Sequence, residues 1–504
     1  MLEQARKDDA RRWLGRFAVA GVAVLAALAA LASSASAIRI GNVKVTRSIR
    51  QAPLVSPAED GTRVAHFGTL HLNKVGIIKI APVGKKARNV LVLEPGTSAA
   101  AAYFVPFAKS LLEDPALKGW QVWAVERREN FLENQKELTK YKEGGVSASD
   151  FFNYYLGYLA NPSITDHYLP VPESRVEFAK EWGMNVAVED LKVVIEEARG
   201  LGGKVVLGGH SLGGSVVTAY ATWDFAGKPG AEGLSGLVYD DGGSSPLAIS
   251  KTEAETSLAK LEQPKETPWL AFGGIPAPDL GLFSVTGSAL TVVEPKGPSQ
   301  LEKFPFLPPD LRSPVVPVTN EAGFGYSVNV GTSPETLAAA QIHGGEGVEA
   351  EPEADGLHGW NGTGALTPVS RYAEMLAGEV SGTALRESGS EWYFPARLTL
   401  DTGAVGNGLA NPAQEVLGLH ATMGEQLPKS LHILAIDSEL DKLFGGTQTT
   451  LTEAEALAAQ SGISPSNLTL IEEKDSYAHN DPAGATPEIN EFFKHLAPFL
   501  EELG

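Results

Sequence analysis

The sequence predicts an α/β fold: a mostly parallel sheet with helices on both faces. Three observations carry that expectation. Strand-like and helix-like stretches alternate through the first half of the chain, the pattern of a covered parallel sheet. Asn89-Val-Leu-Val-Leu93 and Trp120-Gln-Val-Trp-Ala-Val125 are near-continuous apolar runs, as strands buried on both faces require. Finally, Lys204-Val-Val-Leu-Gly-Gly-His-Ser-Leu-Gly-Gly-Ser-Val-Val-Thr218 joins a β-branched run, a Gly-x-Ser-x-Gly centre and a small-residue helix without a gap.

The 504 residues, 43% of them hydrophobic, suffice for a large core, so one big domain with insertions competes with two domains. A net charge of −20, with no basic cluster in the body of the chain, argues against a nucleic-acid partner. The absence of cysteine removes disulfides, thiolate catalysis and cysteine-ligated zinc together.

Residues 1–37 read as an export signal. Arg6, Lys7, Arg11, Arg12 and Arg16 form a basic start, Phe17 to Ala32 is apolar, and Ala35-Ser36-Ala37 has the form of a cleavage site. The apolar run falls short of the roughly 20 residues of a spanning helix. The mature protein is therefore expected to begin at Ile38, to be secreted or periplasmic, and to keep no membrane span. Arg11-Arg12-Trp13-Leu14 is similar to a twin-arginine signal, with Gly15 where a large apolar residue is usual.

From Ile38 to Asn73, alternating stretches such as Ile40 to Val45 predict antiparallel strands at a sheet edge. The strand ending at Leu93 leads through Glu94-Pro95-Gly96-Thr97-Ser98 into an alanine-rich helix that runs to Leu112, and the strand from Trp120 follows. A small insertion, about 130–182, carries Phe151, Phe152, Tyr154, Tyr155 and Tyr158. Val186, Val188, Leu191, Val194 and Ile195 mark one face of a helix spanning Asn185 to Arg199, which precedes the glycine-flanked serine. Gly236-Leu-Val-Tyr239 is the next strand, ending in Asp240-Asp241-Gly242-Gly243. Regular alternation then stops from 245 to 429, an interval too long for a loop and therefore expected to form a cap or lid subdomain. Leu431-His-Ile-Leu-Ala-Ile436 resumes the sheet. The division is thus a core from 38 to 244, the inserted subdomain from 245 to 429, and the remaining core from 430 to 504. The acidic stretch Glu346 to Asp355 reads as a solvated loop rather than a calcium site.

The bare Gly-x-Ser-x-Gly pattern is weak, since chance gives roughly a third of one such pentapeptide in a chain of this composition. Its context is what makes it a nucleophile elbow, with Gly209 and Gly213 leaving room for a sharp turn and Ser211 Oγ standing clear of the sheet. Serine needs a base held in one tautomer by a carboxylate. Of the ten histidines, His479 alone combines a C-terminal position, a preceding strand (Leu468 to Glu472) and a loop setting. Asp441 is the carboxylate chosen, at the acidic turn after the strand from Leu431; Asp437, Glu439, Asp240 and Asp241 remain open as alternatives. The oxyanion donors expected are the backbone NH of Leu212 and the NH of Thr97, beyond Pro95-Gly96.

The ordered set Leu93-Glu-Pro-Gly-Thr97, Gly209-His-Ser-Leu-Gly213, Asp441 and His479 resembles the α/β-hydrolase superfamily of the lipase and esterase kind. The resemblance covers roughly residues 60 to 245 and 430 to 504. It implies an eight-stranded, mostly parallel sheet and a cap inserted after the sixth strand. Pro95-Gly96 stands where the family usually has His-Gly. A serine in the elbow, where haloalkane dehalogenases and epoxide hydrolases carry aspartate, points to acyl transfer on a small-molecule or lipid ester with no metal or organic cofactor. A serine peptidase of the same fold and an exported binding module are the competing readings. Glu391 to Asp401, dense in aromatics, is expected to contribute to a binding surface.

Overall fold

The computed structural model describes residues 37–55, 72–84, 86–245, 247–272, 275–303, 316–440 and 450–504. The expected export signal, apart from Ala37, and Asp441 lie outside them.

Among the described residues one nine-stranded sheet forms the centre. Its strands are β1 (Ile38–Ile40), β2 (Val43–Gln51), β3 (Lys74–Pro82), β4 (Asn89–Glu94), β5 (Trp120–Glu126), β6 (Val205–His210), β7 (Gly236–Asp240), β8 (His432–Ile436) and β9 (Leu468–Ile471). They lie in the order β1-β2-β3-β5-β4-β6-β7-β8-β9. The first three pair antiparallel with one another and β3 with β5; every pairing from β5 through β9 is parallel. The strand beyond the expected eight is β1, which folds back on β2 through Gly41, whose φ of 58° a side chain would resist.

Burial follows position. β5, β6 and β7 are buried at every residue, whereas β2 near the edge alternates between buried and exposed. The chain leaves β4 toward β5 on one side and then returns past β4 to β6 on the other, so right-handed crossovers send the flanking helices to opposite faces. Helix α1 (Val105–Leu111), after β4, pairs with α11 (Glu491–Leu503) through Phe107 against Phe492 and Phe493. On the other face lie α2 (Met184–Arg199), which buries the predicted apolar stripe, α3 (Leu212–Thr222) and α10 (Thr450–Ser461). The strand order reverses between β4 and β6, and in such sheets function collects at the carboxyl ends beside that reversal.

Between β7 and β8 the chain forms α4 (Lys251–Leu261), α5 (Ala277–Val293), α6 (Asn320–Val328), α7 (Val369–Ala377), α8 (Ala396–Val405) and α9 (Pro412–Leu417). Small residues let α5 sit tightly against α6 and α7; a Cβ at Gly287 would come 2.8 Å from Phe324 Cδ2. Part of this interval returns to the sheet layers, because α8 packs on α2 and α3. The aromatics expected to line a binding surface are instead interior. Trp392, Tyr393 and Phe394 are buried, Trp392 packs edge-on against Tyr155 and Tyr168, and Tyr393 OH bonds to Tyr168 OH and accepts from Val171 NH at 3.0 Å. They join the two insertions, because large rings find their burial where two thin layers meet. Among the described residues no helix is long and apolar enough to cross a membrane.

Candidate active site

The site begins with a backbone constraint. β6 runs buried to His210, and Ser211 then takes φ 55° and ψ −129° before α3 starts at Leu212. A non-glycine residue adopts such angles only when its surroundings enforce them. Here they do: Ser211 NH donates to Asp240 O at 3.0 Å, and Ser211 O accepts from Gly214 NH at 2.9 Å. The turn closes so tightly that a Cβ on Gly209 would lie 2.3 Å from the Gly213 carbonyl, and one on Gly213 would lie 2.1 Å from Glu94 O. The sheet reverses its strand order beside β6, and a strained serine joins β6 to the helix behind it.

This is the α/β-hydrolase fold.

The sequence matches no family model and no curated protein. Solved structures similar to it include a monoglyceride lipase from Saccharomyces cerevisiae bound to a substrate analogue (11% identity, 93% of this chain and 94% of that one, TM-score 0.35). A monoacylglycerol lipase from Paleococcus ferrophilus (13% identity, 85% and 98%, TM-score 0.35) and the thioesterase domain of the curacin biosynthetic pathway (13% identity, 86% and 95%, TM-score 0.35) are also similar. Sheet order and elbow geometry, rather than these distant likenesses, define the fold of this chain.

His479 follows β9 and is buried; its Nδ1 lies 2.5 Å from Asp241 Oδ2. A carboxylate oxygen accepts, so Nδ1 carries a proton and donates it to this bond. Asp241 sits one residue past β7 at φ 44°, with its NH on Ile436 O at 3.0 Å, and Ser438 Oγ donates to the same Oδ2 that holds His479. The contact expected of Asp441 is thus made by Asp241, and the chain order Ser, Asp, His is unchanged. The reason is geometric: β7 is the direct neighbour of β6, and the left-handed turn at Asp241 puts its carboxylate against the histidine loop.

The other acids are placed differently. Asp437 accepts from Glu473 NH at 2.7 Å, and burial pushes its carboxyl up to about 6. The backbone NH of Glu439 donates to Tyr477 O at 2.8 Å, which ties the turn after β8 to the histidine loop. Asp240 is buried beside Asp241, and burial first, then that neighbouring charge, holds its carboxyl well above the ordinary range.

His210, which the sequence places only within the elbow, packs against His479. Its Nε2–H donates to His479 O at 3.0 Å, the two rings lie 4.6 Å apart, and Tyr103 stacks on its other side at 5.4 Å. Burial lowers its pKa to about 3, so the ring stays neutral. Tyr103 OH donates to Asn480 Oδ1 at 2.9 Å, and Asp481 accepts from Ala478 NH at 2.7 Å and Thr367 Oγ1 at 2.6 Å. Asp481 also receives His343 Nδ1 at 2.7 Å, so residues between β7 and β8 brace the histidine loop.

Leu212 opens α3, where an NH has no partner in the helix ladder. The loop after β4 presses on Ser211, since a Cβ on Gly96 would lie 2.6 Å from Ser211 Cβ and 3.0 Å from His210 O. Thr97 is the next residue, partly buried. Asp241 is not the first choice that the sequence offers, and His210, Asn480 and Asp481 are not marked in it for these contacts. The acids ending β7 were the visible signal; nothing local marks the rest.

Proposed function

We propose that the protein is a secreted serine hydrolase that cleaves carboxylic esters through an acyl-enzyme on Ser211, with His479 as base and Asp241 as its carboxylate. The observation that carries this is the buried 2.5 Å contact between His479 Nδ1 and Asp241 Oδ2 beside a strained elbow serine. His479 Nε2 takes the Ser211 proton as Oγ attacks the ester carbonyl. The negative oxygen then faces Leu212 NH and an NH of the loop at Gly96-Thr97, and collapse expels the alcohol with the proton returned from His479. Water enters by the same route and releases the acid. Asp241 holds the imidazole in one tautomer and stabilises its charged form. Residues 1–37 act as the export signal in this reading, and the interval from 245 to 429 covers the site.

Two measurements test it. A fluorophosphonate probe should label the wild type and leave Ser211→Ala unlabelled; an unlabelled wild type would favour an exported binding module. p-Nitrophenyl esters of graded chain length should be turned over faster than aminoacyl p-nitroanilides, and the reverse order would make the protein a peptidase.

A further inference from the structure

The residue after β5 holds the loop that lies on Ser211. Arg127 is buried, 5% exposed in its side chain, and its guanidinium reaches six acceptors with five N–H donors. Nη1 lies 2.7 Å from Pro95 O and 3.3 Å from Glu94 Oε1; Nη2 lies 3.0 Å from Gly96 O, 3.0 Å from Ala99 O and 2.6 Å from Glu391 Oε2; Nε lies 3.1 Å from Glu129 Oε1. Three of these acceptors are consecutive carbonyls, or nearly so, of one loop.

In a trans peptide the C=O and the following N–H point in opposite directions. An arginine that grips Pro95 O and Gly96 O therefore turns Gly96 N–H and Thr97 N–H away from itself, in the stretch where Gly96 already touches Ser211. The loop is also paired with the interval between β7 and β8: Glu391 NH donates to Ser98 O at 2.9 Å and Ala100 NH to Gly389 O at 2.8 Å. Glu391 is wholly buried, and Asn130 Nδ2 approaches its other oxygen at 3.3 Å. Ser98 holds φ 60°, a left-handed setting that these bonds on either side stabilise.

We propose that Arg127 is a positioning residue of the oxyanion site, setting the peptide planes that carry Gly96 NH and Thr97 NH, and that Glu391 makes this setting depend on the chain inserted between β7 and β8. This rests on the acyl-enzyme reading of Ser211. A guanidinium suits the task because it is planar and permanently charged and spreads five N–H donors over a fixed fork, whereas an ammonium gathers three on one freely rotating nitrogen.

The test compares wild type, Arg127→Lys, Arg127→Met, Glu391→Gln and Glu391→Ala on p-nitrophenyl butyrate. Inhibition constants for a trifluoromethyl ketone, whose adduct carries the oxyanion, and thermal midpoints are measured alongside. Expected are a fall in kcat of about 100-fold in both Arg127 variants, KM changed less than about threefold, and ketone affinity falling in proportion to kcat/KM. Glu391→Gln, which still accepts a hydrogen bond, should lose less than about tenfold and Glu391→Ala more. Folded Arg127 variants with unchanged kcat and ketone affinity would overturn the proposal. If the Arg127 variants do not fold, equal kcat and ketone affinity in the two Glu391 variants and wild type would overturn it. Fluorophosphonate labelling of the wild type separates the failures: without labelling the acyl-enzyme reading falls first, and with labelling these outcomes count against Arg127 alone.

Discussion

Ser211 sits at φ 55°, a conformation that costs about 1–3 kcal/mol and that its neighbours must hold in place. Gly96 is one of the residues that this placement leaves no room to change. Gly96→Ala sets a methyl 2.6 Å from Ser211 Cβ, so either the loop or the serine must move. We expect kcat/KM on p-nitrophenyl butyrate to fall at least about 100-fold while circular dichroism stays native, since displacements of about 1 Å at a nucleophile have that effect. Ser211 and His479 were legible because each carries a local mark: glycines spaced for a tight turn, and a loop setting after the last strand. The carboxylate has no such mark. Acids end both β7 and the turn after β8, and only the turn at Asp241, with φ 44°, decides which of them meets the imidazole. Arg127 was illegible for the same reason, since its partners lie at 94–99, 129 and 391 and converge only after folding.

At the scale of elements, the elbow works because β6, α3 and the end of β4 approach one another at backbone distance. Gly209→Ala would push a methyl to 2.3 Å from the Gly213 carbonyl. The strand-helix junction has no flexible side chain there to yield, so a loss of at least about 2 kcal/mol in urea unfolding is expected, a cost typical of overpacking. The parallel strands β4 to β8 were readable as apolar runs because both of their faces are covered. At the edge, the alternation of Ile40 to Val45 marked strand but not the turn at Gly41-Asn42 that parts β1 from β2. The interval between β7 and β8 was readable only as an interruption. Its helices are held by mutual packing of small residues and by rings shared with the 130–182 insertion, contacts with no short-range period in the sequence.

For the whole molecule, buried ionisable groups tie stability to pH with opposite signs. Burial pushes the carboxyl of Glu453, whose Oε1 lies 2.5 Å from Thr218 Oγ1, from an ordinary 4.5 up to about 8. The folded state then holds a proton that the unfolded chain releases. This stabilisation is complete below about pH 4.5 and is lost as pH rises through about 8. His210, lowered from 6.5 to about 3, contributes stability that is present above 6.5 and lost as pH falls toward 3. Glu453→Gln keeps a neutral group in the same place, so its urea midpoint should fall less than that of wild type between pH 5 and 8; parallel curves would mean that Glu453 is ionised in the folded protein. The same long-range convergence that buries these groups sets His479 against Asp241, one residue past the strand that neighbours the one leading to Ser211. The rate of fluorophosphonate inactivation tests it most directly, measured for wild type, Asp241→Asn and Asp441→Asn. Asp241→Asn should slow inactivation about 1,000-fold or more, and Asp441→Asn should change it less than about tenfold. Slow inactivation of Asp441→Asn together with a near-normal rate for Asp241→Asn would contradict it.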